Sequence, residues 1–197
     1  AASDGVRWQL QLLGGLQAHG QQGSLQRWPS RAVALLLARL ALAPHRAHAR
    51  EELVELLWPG VAPAVGRNRL RQALSTLKAL LEGPAGPPVL VADRLTVRVA
   101  PQALGCDALQ FEHLVHSGQA AAAAALYRGP LLPGYYDEWV HTERERLALL
   151  HETLVAWPSG VPPAAVPAPR SSLPFSSTST EPAARPAPAA VRPSPAL

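Results

Sequence analysis

From Gly66 to Gly83 the chain reads GRNRLRQALSTLKALLEG. At 100° per residue, Asn68, Gln72, Ser75 and Ala79 centre on one line, and Leu70, Leu74, Leu77 and Leu81 on the opposite line. Arg67 flanks the polar line at its start. Arg71 and Lys78 lie on one shoulder, Arg69 and Thr76 on the other, and no acidic residue appears before Glu82. This face offers a definite chemistry. Amides can pair with adenine edges, guanidiniums with guanine edges or phosphates, and small residues permit close approach, which together suit a major groove. In isolation a solvated amphipathic helix fits the pattern as well. What surrounds the helix tips the reading towards DNA.

Upstream, VRWQLQLLGG alternates apolar and polar residues with period two, the pattern of a half-buried strand, and LQAH and SLQRW are weaker strand candidates around a Gly20 to Gly23 turn. PSRAVALLLARLALAP starts as a helix at Pro29 and Ser30, carries Val33, Leu36, Leu37 and Leu40 at helical spacing, and stops at Pro44. AREELVELLWPG is a second helix, with Glu51 and Glu52 in a first turn where the helix dipole favours them. Its expected buried stripe is Leu53, Leu56 and Leu57, and Pro59 and Gly60 end it. The third helix is expected over 64–82. After GPAGPP, the segment VLVADRLTVRV reads as a β-hairpin turning at Ala92, Asp93 and Arg94. Strands, three helices with a short connection between the last two, and then a hairpin "wing" give the plan of a winged helix.

On that plan Arg94 and Arg98 lie in the wing, within reach of a minor groove or a backbone phosphate, although a solvent-facing strand position explains them equally well. Arg50 and Arg46, at the start of the second helix, are candidates for phosphate contact.

Residues 103–157 read as helical. DALQFEHLVHSG and QAAAAALYRG resemble two arms of a helical hairpin, and VHTERERLALLHETLVAW adds a third helix, as in a partial tetratricopeptide-like repeat scaffold. The Tyr135, Tyr136, Asp137, Glu138, Trp139 cluster is read as packing rather than ligand binding. Residues 158–197 contain 11 prolines and no apolar periodicity, and are expected to be a disordered tail. The abrupt change gives the expectation that the helical half is cut short, with unrelated or frame-shifted sequence attached. The absence of methionine fits a trimmed chain or gene fragment.

The fold expected is thus mainly α with a small β component, in three parts: a winged helix over 1–102, a partial helical-repeat domain over 103–157 and the tail. Charge follows the same division. Residues 1–102 hold 12 Lys/Arg against 6 Asp/Glu, residues 103–157 hold 3 against 7, and the tail holds 3 against 1. A basic module beside an acidic one suggests different partners for each.

Other chemistries find little support. His113 and His116, with His141 and His151 beyond, lack the cysteine pair or carboxylate set of a zinc site. Cys106, the only cysteine, stands beside Asp107 without a recognisable base and cannot form an intramolecular disulfide. GPAGPP lacks the Gly-Lys-Ser/Thr ending of a phosphate-binding loop. Glu51, Glu52 and Glu55 serve most simply as the solvent face of a helix, not as a nuclease's carboxylate cluster. No catalytic, metal or cofactor site is expected, and the chain is read as a non-enzyme. With no run of 18 apolar residues and no signal-peptide pattern, a cytoplasmic protein without a membrane partner is expected.

The segments PSRAVALLLARLAL, HAREELVELLWPG, GRNRLRQALSTLKALLE, VLVADRLTVRV, CDALQFEHLV and ALYRGPLLPGYYDEWVHTERERL, in this order, resemble the bacterial transcriptional activator domain regulators of the SARP type. The resemblance implies an OmpR-like winged helix whose third helix reads double-stranded DNA and whose hairpin is the wing. It also implies an acidic helical half that forms a homodimer and contacts the transcription machinery, RNA polymerase included. By that resemblance the DNA-binding residues are Arg67, Asn68, Arg69, Arg71, Gln72, Ser75 and Lys78 on the reading helix, with Arg94, Arg98 and Arg50 beside it. Two departures stand out: Ala49 occupies a position where a helix-capping Ser or Thr is more usual, and the helical half is shorter than the family's. The alternative is a protein-interaction module in which the same winged helix and helical repeats act as a scaffold without specific DNA binding.

Overall fold

A computed structural model describes residues 6–21, 23–82 and 86–156, all of which fall in one compact unit. The tail over 158–197 and the tip of the GPAGPP loop lie outside the described residues. The elements, in order, are β1 (Trp8–Gln11), β2 (Gln17–Gly20), β3 (Gly23–Leu25), α1 (Arg31–Leu42), β4 (His48–Ala49), α2 (Arg50–Leu57), α3 (Pro63–Leu81), β5 (Leu90–Ala92), β6 (Thr96–Val99), β7 (Leu104–Cys106), α4 (Asp107–His116), α5 (Ala120–Leu126) and α6 (Glu138–Ala156).

α1 is the centre of the core. Ser30 caps it, its hydroxyl accepting from Val33 N at 3.2 Å. The periodicity foresees Val33, Leu36, Leu37 and Leu40, but Ala34, Leu35, Ala38 and Ala41 are buried too. The helix is covered on most of its circumference because α2 and α3 pack on it from one side and β6 and β7 from another. Each fully buried leucine or valine there contributes roughly 1.5–3 kcal/mol.

Two small sheets flank it. In the first, the order is β3-β2-β1-β7, with β1 and β2 antiparallel and β1 and β7 parallel. In the second, β4-β6-β5, the hairpin of β5 and β6 pairs Leu90 with Val99 and Ala92 with Val97. Two strands depart from the sequence reading. Residues 104–106 form β7 where helix was expected, because their partner β1 lies almost a hundred residues earlier and leaves no local signature. The two-residue β4 is fixed only by pairing His48 with Val97 and Ala49 with Thr96.

α3 begins at Pro63, a residue preorganised for a first helical position, and spans 63–81, one residue earlier at each end than expected. Its end is tied down twice. Trp8 Nε1 donates to Leu81 O at 2.9 Å, and Glu82 Oε1 accepts from Val89 N at 2.7 Å and Leu90 N at 2.8 Å. On α2 the buried residues are Leu53 and Val54, while Leu56 and Leu57 are half-buried. The expected stripe is therefore corrected by one position, and the cause is Gly66 of α3. A Cβ there would stand 2.3 Å from Val54 Cγ1, so the missing side chain lets α3 approach α2 and cover Val54.

α4, α5 and α6 pack on one another around Phe111, Ala123, Leu147 and Leu150. Tyr127 tilts against Phe111 at 5.3 Å and stacks on His151 at 4.0 Å. The helices are joined to the first sheet through Asp107, whose carboxylate accepts from Leu12 N at 2.8 Å and Leu13 N at 3.1 Å. Arg144 donates to the carbonyls of Leu131, Leu132 and Tyr135 at 2.7–2.8 Å, holding the segment that bridges to Leu13. The aromatic cluster divides. Tyr135 and Trp139 pack beneath the guanidiniums of Arg31 and Arg39, whereas Tyr136 is 82% exposed and takes no part.

Candidate nucleic-acid interface

α3 presents the outer face that its periodicity demands. Leu70, Ala73, Leu74, Leu77 and Leu81 are buried, while Arg67, Asn68, Arg69, Arg71, Gln72, Ser75 and Ala79 are exposed and Lys78 is half-buried. No acidic side chain interrupts the face between Pro63 and Leu81. Arg71 Nη2 donates to Asn68 Oδ1 at 2.6 Å, one helical turn apart. That bond takes one of the two lone pairs of Asn68 Oδ1, so the pair offers more donors than acceptors: the Asn68 amide NH₂ and the remaining N–H groups of Arg71. A surface of donors and positive charge matches phosphate oxygens and the O6/N7 edge of guanine better than the mixed adenine edge.

On the hairpin, Arg94 and Arg98 are both exposed, Arg98 opposite Val91 in the β5–β6 register. Arg50 stands apart from the other arginines. Its Nε donates to Asp93 O at 2.8 Å and its backbone N–H to Leu95 O at 2.9 Å, so part of the guanidinium is committed to the hairpin and the Nη groups are what is left for a phosphate. Arg46 pairs with Glu52 at 2.7 Å, and Arg39 approaches the same carboxylate at 3.7 Å. Glu52 thereby offsets the charge that made Arg46 a candidate for phosphate contact.

The structure brings Arg50 to the tip of the hairpin that carries Arg94. The relation of this group to α3 runs through α2, with Arg50 at its first turn and Val54 seated on Gly66. Sequence reasoning places Asp93 in the hairpin turn but gives its carboxylate no role. Its Oδ1 accepts from Leu95 N and Thr96 N, each at 2.7 Å, and its Oδ2 from Thr96 Oγ1 at 2.8 Å. These bonds, with the nearby Arg50 charge, hold the carboxyl below its usual range. An Asp followed three residues later by Thr within a turn is a recognisable side-chain-capped turn and could have been found from spacing.

Cys106 is buried, and burial together with the adjacent Asp107 pushes its thiol up to about 12, so it carries no thiolate at neutral pH. Among the described residues no group of three or more His, Cys, Asp or Glu could hold a metal ion. No described helix is long and apolar enough to cross a membrane.

Comparison with known proteins places this geometry in a fold. The chain is similar to Mycobacterium tuberculosis EmbR, solved in complex with a low affinity phosphopeptide, with a TM-score of 0.59 and 22% identity over 77% of this chain and 44% of that one. The likeness is one of fold, and the chain spans less than half the length of that protein. No family profile and no curated protein matches the sequence.

Proposed function

We propose that this chain is a sequence-specific DNA-binding transcription regulator of the activating kind, working in the cytoplasm. α3 is the reading helix in the major groove, and the β5–β6 hairpin is a wing on the backbone or minor groove. On this reading 1–102 is an OmpR-like winged helix and 103–157 a partial activator domain that supplies a homodimer contact and an approach to RNA polymerase. The observation that carries the reading is the outer face of α3: Arg67, Asn68, Arg69, Arg71, Gln72 and Ser75 are all exposed on a helix whose opposite side is core. The likeness to EmbR is one of fold and leaves this reading to the exposed face of α3.

Binding then proceeds in two parts. Cations on α3 and the hairpin displace counterions from phosphates, lowering affinity with salt by roughly 0.9 log units per log unit for each phosphate neutralised. Base-edge contacts from the same helix supply the part that survives salt. The test is selection from a randomised duplex pool with the full chain, followed by fluorescence anisotropy at two salt concentrations. A repeated motif that keeps affinity at the higher salt is the expected result; weak binding that enriches nothing refutes it. Arg71→Ala is expected to weaken binding to the selected duplex by about 1–3 kcal/mol if Arg71 reads a base. An equal loss on random duplex reassigns it to phosphate.

A second reading, a protein-interaction scaffold, draws on one observation. Leu149 and Val155 on α6 are 65% and 62% exposed, apolar side chains that a protein partner could cover. Failure to enrich any duplex, with a partner retained, would favour it.

A further inference from the structure

Asp93 carries a negative charge beside Arg94 on the very hairpin assigned to a polyanion, and on charge alone it opposes binding. Its hydrogen bonds give it another role. The carboxylate takes the backbone N–H groups of Leu95 and Thr96 and the Thr96 hydroxyl, while Asp93 N donates to Thr96 O at 3.0 Å. From the other side, Arg50 holds the carbonyls of Asp93 and Leu95. Leu95 therefore has both its backbone groups bonded, yet its side chain is 70% exposed. A bulky apolar side chain is left in water on a turn whose backbone is held by hydrogen bonds at Asp93, Leu95 and Thr96.

We propose that Asp93 is a positioning residue, which with Arg50 locks residues 93–96 so that Arg94 and Leu95 reach the duplex preorganised and in fixed register with α3. The proposal rests on the DNA-binding reading and deepens it. A locked turn presents its side chains with no ordering cost at the moment of binding, whereas a loose one must be ordered then. Arg50 carries the register, because it belongs to α2, and α2 is seated on α3 through Val54 and Gly66. Leu95, at the exposed tip, is the side chain presented to the sugar edges or a base step of the minor groove, where apolar groups find contact.

Two substitutions separate the lock from simple charge. Asp93→Ala and Asp93→Asn remove the same negative charge. Asn keeps an oxygen for the N–H groups of Leu95 and Thr96 and an amide for the Thr96 hydroxyl, whereas Ala keeps nothing. The full-length variants are titrated against the selected duplex, and hydrogen exchange of the Leu95 and Thr96 amides is followed in the free protein. Asp93→Ala is expected to bind about tenfold more weakly than wild type, equivalent to ordering roughly one residue's backbone on binding. Its two amides are expected to exchange faster. Asp93→Asn is expected to bind at least as tightly as wild type, with exchange close to wild type. If charge alone mattered, both variants would bind more tightly and alike, and the lock would be overturned. Unchanged exchange in Asp93→Ala overturns it independently of DNA. A wild-type chain that selects no duplex overturns the DNA reading instead, and the role of Asp93 in it, even where the exchange data show the turn to be held.

Discussion

Replacing Gly66 with alanine tests the contact that sets α3 against α2. In an ordinary helix interior the change is favourable by about 0.8–1 kcal/mol, because alanine loses less backbone freedom on folding. Here the new Cβ would lie 2.3 Å from Val54 Cγ1. Val54 is β-branched and sits in a helix, where essentially one χ1 rotamer is open to it, so its methyl group cannot swing aside. The clash must be relieved by moving the helices apart, an overpacking cost of about 1–3 kcal/mol. The net expectation for Gly66→Ala is a loss of roughly 0–2 kcal/mol. That single figure is a weak test, so the decisive quantity is the coupling with Val54→Ala, measured by denaturant unfolding of the two single variants and the double variant. Val54→Ala alone removes two buried methyl groups at about 0.8 kcal/mol each, before any cavity term. With the methyl gone, alanine at 66 should recover its helix preference and stabilise the double variant relative to Val54→Ala. The expected coupling is about 1–3 kcal/mol. Gly66→Ala stabilising the wild-type background by its full propensity, with zero coupling, would refute the close approach. It would also remove the reason given for the burial of Val54.

Two further perturbations test the core. Asp107→Asn should destabilise the chain by about 1.5–3 kcal/mol in denaturant unfolding, since the amide can accept only one of the buried N–H groups of Leu12 and Leu13 and turns a donor toward the other; unchanged stability would exclude the bonds that tie α4 to β1. His48 is fully buried, and burial lowers its pKa, with Arg39 and Arg46 adding to that and the Ala43 carbonyl and Glu52 opposing it. The unfolded chain therefore takes up this proton first, so the stability that neutral His48 contributes is complete above about pH 6.5 and drains away as pH falls toward the lowered folded-state value. The melting temperature of wild type should drop more between pH 7 and about 5 than that of His48→Gln, which keeps a donor for Ala43 O but does not titrate; parallel curves would refute the assignment.

What the sequence discloses follows the range of the interactions. The 100° pattern of Leu70, Leu74, Leu77 and Leu81 anticipates the outer face of α3 except at half-buried Lys78, and Ser30 marks the start of α1. Both are local effects, settled within a turn or two of helix. The hairpin is legible for the same reason, its two alternating runs being separated by a turn. The strand at 104–106 is not, since nothing in Leu-Gly-Cys indicates that β1 lies alongside. The burial of Val54 was missed because it depends on an absent side chain at Gly66, on another helix. Tyr136 was grouped with its neighbours by composition, yet only Tyr135 and Trp139 meet the arginines of α1. At the candidate interface the list of cations was legible. The commitment of Arg50 to a carbonyl 43 residues away was not.

Ala49 links these observations. A helix that starts without a capping side chain leaves its first N–H groups unsatisfied, and α2 starts at Ala49 with no such bond. The first of those donors, Arg50 N–H, is taken by Leu95 O of the hairpin, and Ala49 itself pairs with Thr96. One of the helix's free N–H groups is thus taken by a distant carbonyl, and the start of α2 and the hairpin tip become one unit. A serine at 49 would accept from Glu51 N or Glu52 N and leave the Arg50 N–H to Leu95 O, so the cap and the hairpin bond serve different donors. A broken local rule is informative where a longer-range contact stands beside it. Here the long-range contact joins the helix that seats α3 to the turn that carries Arg94, the two surfaces that the proposed function brings to one duplex.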